Sequence, residues 1–194
     1  MKKIITISRE FGAGGGEIGK KVAEALGYEY YDKSIIIKAA SDINVDVGKV
    51  IKNDEKAPLL NSFTQALFDF YSTPLNEQIF EAQKAVIKRY AEHGKCVIVG
   101  RNANQILSQF DDSLHIFIRA DKYFRVQRLK NDLMKGESED KILKEMEKVD
   151  KMRHKYCSYY TNSDFGDSRS YDLCLNTSKI DIDQCVKLIV ELAK

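Results

Sequence analysis

The chain has 194 residues, enough for one domain with a sizeable core or one domain with an insertion. Thirty-one basic residues against 29 acidic ones leave a net charge of +2, which argues against nucleic-acid binding by bulk charge and makes clustered arginines the carriers of any phosphate chemistry. No apolar run reaches the roughly 18 residues that span a bilayer, so no membrane attachment is expected and the protein reads as cytoplasmic. Cys96, Cys157, Cys174 and Cys185 lack C-x-x-C spacing and read as reduced thiols, while His93, His115 and His154 form no ligand pattern.

The chain opens as a buried strand, a glycine-rich loop and an amphipathic helix. Ile4, Ile5 and Ile7 give the β-branched run of a covered parallel strand, and Ile18, Val22, Ala23 and Leu26 predict a helix over 15–26. Between them lie Gly12, Gly14, Gly15 and Gly16. Bare backbone at a helix start lets amides close on an anion, so Gly12, Ala13, Gly14, Gly15, Gly16 and Glu17 are expected to bind a phosphate. Setting Gly12 and Gly14 within the phosphate-loop pattern G-x-x-x-x-G-K-[ST] puts Arg9 at the first glycine, Gly15 at the lysine and Gly16 at the hydroxyl. The loop survives, but two of its side chains do not. The same stretch fits the dinucleotide pattern G-x-G-x-x-G at Gly14, Gly16 and Gly19, with Asp32 about 20 residues beyond Gly12. Four residues, Ser8 to Phe11, separate the expected strand from Gly12, which favours the mononucleotide cradle. Replacing Gly15 by lysine is expected to keep or strengthen nucleotide binding.

Tyr28 to Asp32 reads as a short second strand ending in a carboxylate, followed by helical patterns over Ile35 to Ala40 and Val47 to Lys52. The segment from Asn53 to Pro74 holds both prolines together with Phe63, Leu67, Phe68, Phe70 and Tyr71. Residues 33–75 thus read as a helical insertion over an acceptor site, and the aromatics admit a homodimer. A long helix from Leu75 ends at a glycine cap near His93-Gly94. Apolar strands follow at Cys96 to Val99 and Leu114 to Ile118. Then come a helix over 121–134, a charged helix over Ser138 to Tyr160, a strand over Tyr171 to Leu175, and a helix over Asp181 to Ala193. Alternating strands and helices predict a three-layer α/β/α fold with a mostly parallel sheet.

Polar residues that end apolar strands fall on the carboxyl edge of such a sheet, where ligands bind. Ser8, Arg9, Asp32, Arg101 and Arg119 stand at those ends. Arg125 and Arg128, three residues apart, share a helix face and are expected to point at one anion. The segment 138–170, charged and then aromatic and polar without core periodicity, reads as a lid that closes on a ligand and reopens.

Together these residues resemble the cytidylate kinase-like family, a nucleoside monophosphate kinase branch of the phosphate-loop NTPases. The likeness is carried by Ile4 to Gly19, Tyr30 to Lys33, Val97 to Arg101, Ile116 to Ala120 with Arg125 and Arg128, Asp150 to Arg153, and Asn176 to Asp183. The resemblance implies a five-stranded parallel core with a helical lid, ATP as co-substrate with Mg²⁺, and a nucleotide acceptor, CMP or dCMP first. It implies further that Asp32 and Arg101 hold the acceptor, while Arg125, Arg128 and Arg153 face the exchanged phosphates. Cytidylate kinases carry lysine and hydroxyl where this chain has Gly15 and Gly16 and tend to carry aspartate at Asn102, whereas loss of the lysine is typical of the cytidylate kinase-like branch, often with arginine where Gly16 stands. Arg9, Arg153 and Mg²⁺ then have to supply the missing charge. Two other readings stand beside it: a nucleotide-binding protein that has lost catalysis, and a kinase-fold enzyme with another small phosphoacceptor.

Overall fold

The computed structural model describes residues 1–32, 34–42 and 74–194. They divide into two compact units, one of Met1–Asp32 with Tyr90–Lys194 and one within Lys33–Arg89. The first unit is built on five strands: β1 (Ile4–Arg9), β2 (Glu29–Tyr31), β3 (Cys96–Val99), β4 (Ser113–Arg119) and β5 (Leu173–Asn176). They pair in the order β2-β3-β1-β4-β5, and every pairing is parallel. The expected α/β/α architecture with a five-stranded parallel sheet is therefore what the chain adopts.

The register follows from burial on both sheet faces. Ile5 pairs with Val97 and Leu114, and Ile7 with Val99 and Ile116, so these side chains share one face. That face packs against helix α1 (Gly15–Leu26) through Ile18, Val22 and Ala23, and against the C-terminal helix, here α7 (Ile182–Ala193), through Cys185, Ile189 and Ala193. The alternate residues Ile4, Thr6, Cys96 and Ile98 are buried as well, as expected of a sheet covered on both sides. Between the sheet's strands the chain forms α2 (Ser34–Asp42), α3 (Pro74–His93), α4 (Ala103–Ile106), α5 (Lys122–Asn131) and α6 (Glu139–Thr161). In the second unit Asp42 of α2 pairs with Lys38 at 2.9 Å and with Arg89 of α3 at 3.2 Å. The helical pattern over 47–52 and the aromatics at 63–71 lie outside the described residues.

Several boundaries differ from expectation for local reasons. Strand β1 runs on through Ser8 and Arg9 because its ladder with β4 continues to Arg9 opposite Ile118, leaving only Glu10 and Phe11 before Gly12. Helix α5 stops at Asn131, where Asp132 leaves helical dihedrals and the amides of Asp132 and Met134 both fold back to the Leu129 carbonyl. Strand β5 starts at Leu173 rather than Tyr171, whose ring lies on Phe117 with centroids 5.0 Å apart.

Helix α6 is not a purely solvated face. Ile142, Met146, Val149, Met152 and Cys157 form a buried stripe along it, and the Ser138 hydroxyl caps it by accepting from the Lys141 amide. The following tail is packed on β4: Phe165 meets Phe117 edge-on at 5.3 Å, and a Cβ on Gly166 would stand 2.9 Å from Phe117 Cζ. The absence of core periodicity in the tail reflects aromatic anchoring at a few points. Among the described residues no helix is long and apolar enough to cross a membrane.

Candidate functional site

Strand β1 delivers its last residue to the carboxyl edge of the sheet, and the loop to α1 turns there. Gly12 and Gly14 adopt φ of 81° and 86°, the left-handed region that side chains rarely occupy, and Gly14 is the N-cap of α1. The first bond of the helix runs from the Ile18 amide to the Gly14 carbonyl. Among the described residues no backbone carbonyl accepts from the amides of Gly14, Gly15, Gly16 or Glu17, so four N–H groups at the positive end of the helix remain for an anion. Ala13 departs from the expected set, since its amide donates to the Glu10 carbonyl at 3.3 Å.

The loop is clamped from two sides by residues whose part the sequence did not announce. Buried Thr177, just past β5, donates its hydroxyl to the Ala13 carbonyl at 2.9 Å. On the other side Asp150 of α6 accepts from the Phe11 amide at 2.8 Å and from Arg125 Nη1. Arg125 also donates to the Phe11 carbonyl, at 3.3 Å, and stands 3.7 Å from Glu10. Glu10 in turn accepts from the Ala120 amide. Arg125 is thus a strut beneath the loop. Arg128 instead pairs with Glu17, lowering that carboxyl's pKa chiefly through their hydrogen bond, and its guanidinium carbon lies 3.5 Å from where a Gly14 Cβ would be. The expectation that Arg125 and Arg128 converge on one anion is not met. A shared helix face fixes direction, but different carboxylates capture the two heads.

Arg9 crosses the loop. Its stem covers Gly15, where a Cβ would stand 2.6 Å from Arg9 Cβ and 2.8 Å from Cγ. Its head reaches the tip of β3, with Nη1 in the space a Cβ on Gly100 would take, and forms an ion pair with Asp32 at 3.7 Å. The atoms opposed to a Gly15 side chain belong to the root of Arg9, not to its movable end. A lysine at position 15 would therefore be sterically opposed. Gly16, by contrast, meets only Tyr30 Oη at 3.9 Å.

Arg153 of α6 donates to the Arg9 carbonyl at 2.7 Å, at the end of β1 where the loop begins. Burial first, then the charge of Arg9, pushes its pKa down to about 9, with Asp150 and Asp32 opposing and Arg101 adding to the shift. It remains cationic near neutrality. Arg101 follows β3 with φ of 60°, between Gly100 at 83° and Asn102 at 54°, an uncommon run of left-handed residues that turns the chain sharply at the strand tip. Buried Asn102 donates to the Tyr156 carbonyl at 3.5 Å, and burial raises the Tyr156 hydroxyl's pKa. Arg153 thus meets Arg9 where β1 enters the loop, and Arg101, after β3, lies close enough to add to the Arg153 shift, with Asp32 and Asp150 as the opposing carboxylates. Lys20 and Lys21 point elsewhere: Lys20 lies over the Tyr30 ring at 6.0 Å, and Lys21 pairs with Glu17 and Asp183.

The expected Mg²⁺ finds no prepared protein ligands here. Gly16 has no hydroxyl, and among the described residues no three His, Cys, Asp or Glu side chains gather as a metal-binding group. Glu10, Glu17, Asp32 and Asp150 are each held by an arginine. The residues present do not fit a protein-held metal.

The sequence profile of the cytidylate kinase-like family matches residues 4–179. The chain belongs to this family. A crystal structure of an uncharacterized protein from Eubacterium ventriosum ATCC 27560 is 31% identical, with a TM-score of 0.75 and coverage of 98% of this chain and 97% of that one. Shikimate kinase from Bacteroides thetaiotaomicron shares the fold at 14% identity, with a TM-score of 0.57 and 97% of each chain covered. The YorR protein of Bacillus subtilis, in complex with phosphorylated GDP, shares it at 13% identity and a TM-score of 0.51, covering 97% of this chain and 94% of that one. No curated protein matches the chain. The family and the fold are those of a phosphate-loop kinase.

Proposed function

We propose that this family member transfers the γ-phosphoryl group of ATP to a nucleoside monophosphate, CMP or dCMP first, with Mg²⁺ supplied along with the nucleotide. The observation that carries the reading is the set of four amides left at the start of α1, with the Arg9 stem across Gly15, Arg153 on the Arg9 carbonyl and Arg101 just past β3. Phosphoryl transfer requires little covalent chemistry from a protein; it requires positioned phosphates and stabilised charge. The amides would hold the donor phosphates. Arg101 and Asp32, at the tips of β3 and β2, would anchor the acceptor, and Arg9 and Arg153 would meet the group in transfer. Arg128, at the Gly14 corner, would reach the donor phosphates only by leaving Glu17, and Arg125 would act through the loop it supports.

A nucleotide-binding protein without turnover is the second reading, favoured by the glycines that stand where the lysine and the hydroxyl are expected. A panel of nucleoside monophosphates with ATP and Mg²⁺, followed by coupled ADP release, separates the two. Acceptor-dependent release with CMP or dCMP supports the kinase. ATP binding without such release for any monophosphate overturns it in favour of the second reading.

A further inference from the structure

Relative to the common phosphate loop, a cation and a glycine have exchanged places in this chain. The first position of G-x-x-x-x-G-K-[ST] holds Arg9 instead of glycine, and the lysine position holds Gly15. The coordinates link the two changes physically. A Cβ on Gly15 would stand 2.6 Å from Arg9 Cβ, 2.8 Å from Cγ and 3.6 Å from Cδ, so the Arg9 stem fills the volume in which a side chain at position 15 would begin. Because Arg9 Cβ is carried by the β1 backbone, whose ladder with β4 runs to Arg9 opposite Ile118, rotation about the side chain cannot clear that first contact.

We propose that Arg9 is the phosphate-binding cation of this loop, replacing the usual lysine from the opposite end of the motif, and that Gly15 is glycine because Arg9 excludes any side chain there. The inference rests on the nucleotide-binding reading above and adds which residue supplies the charge and why the lysine is absent. The Arg9 head lies over Gly100, between the tips of β1 and β3, and its approach to Asp32 at 3.7 Å is an ion pair without a hydrogen bond. Guanidinium donors in a planar fork suit phosphate oxygens, and this fork stands on the Asp32 and Arg101 side of the loop. The displaced cation is thus set between the donor amides and the acceptor residues, whereas a lysine would project from the helix start itself. Arg153 supports the arrangement through the Arg9 carbonyl, a contact that a change of the Arg9 side chain leaves in place.

The test uses the full chain as wild type, Gly15→Lys, Arg9→Gly, Arg9→Met and the double variant Arg9→Gly/Gly15→Lys. Melting temperature is read without ligand, and ATP affinity with Mg²⁺ is read by calorimetry. Gly15→Lys should melt below wild type, and the double variant should melt above Gly15→Lys, because removing the Arg9 stem opens the space. Arg9→Met keeps most of the stem, so it should melt near wild type yet bind ATP about 10- to 150-fold more weakly, the loss expected for one charge-assisted contact. The double variant should bind ATP more tightly than Arg9→Gly, since the new lysine restores a cation. Wild-type melting of Gly15→Lys overturns the exclusion, and wild-type ATP affinity of Arg9→Met overturns the cation role. A double variant that melts no higher than Gly15→Lys also overturns the exclusion. If the wild type itself binds no ATP, the nucleotide reading and the cation role fail together, while the ligand-free melting comparison still decides the exclusion.

Discussion

Truncating Asp150 should loosen the phosphate loop through Arg125. The Asp150 carboxylate, on a side chain 17% exposed, accepts from the Phe11 amide and from an Arg125 side chain only 11% exposed. Arg125 Nε lacks a hydrogen-bond partner among the described residues, and beside Asp150 the guanidinium has only Glu10, at an ion-pair distance of 3.7 Å, and the Phe11 carbonyl, at 3.3 Å. In Asp150→Ala the loss of a charged acceptor for the Phe11 amide costs roughly 1.5–3 kcal/mol. Stranding a largely buried cation costs about 3 kcal/mol at the low end for broken buried pairs. These two terms overlap because both concern one carboxylate, and residual exposure admits some water; a total of about 3–4 kcal/mol is expected. Arg125→Met removes the stranded charge in advance. In that background Asp150→Ala should cost only the Phe11 contribution, about 1.5–2 kcal/mol, at the lower end of its range because the carboxylate is partly exposed. Urea unfolding of the four proteins of this cycle measures the coupling, which should be about 1.5–2 kcal/mol. Equal costs of Asp150→Ala in the two backgrounds would refute the view of Arg125 as a strut whose partner is Asp150.

If turnover is found, Arg101→Ala should mainly raise KM for the monophosphate, whereas Arg153→Ala should lower kcat; steady-state kinetics against both substrates reads the difference. Because Arg153 also holds the Arg9 carbonyl, its alanine variant should melt lower than Arg101→Ala. His115 joins Thr6 through Nδ1 at 2.8 Å and Ser113 through Nε2 at 3.0 Å, and burial is the main cause lowering its pKa below 6.5. The unfolded chain then takes up the proton first, so this contribution to stability is intact above pH 6.5 and is lost as the pH falls below it. The urea midpoint should decline as the pH falls below about 6.5, and less steeply in His115→Gln. Gly19→Ala should destabilise by about 1–3 kcal/mol in the same assay, since its Cβ would stand 2.8 Å from Val99 Cγ2 and 3.2 Å from Tyr30 Cε2.

The order of elements and the parallel sheet were legible in the sequence, because β-branched runs such as Ile4 to Ile7 and Cys96 to Val99 and the spacing of Ile18, Val22 and Leu26 record burial on periods of two and 3.6 residues. Glycine spacing located the bare helix start for a related reason: open backbone at a strand-to-helix turn has few other uses. Periodicity is a local property, however, and the partners of the charged groups are not local. Arg125 and Asp150 are 25 residues apart, Arg128 and Glu17 are 111 apart, and Ala13 and Thr177 are 164 apart. Only tertiary packing decided that Arg125 lies under the loop, that α6 carries a buried stripe beneath its charges, and that Arg153 rests on the Arg9 carbonyl. The sequence by itself determined that the loop lacks its lysine. The tertiary structure supplied the reason, since only folding lays the stem of Arg9 across Gly15.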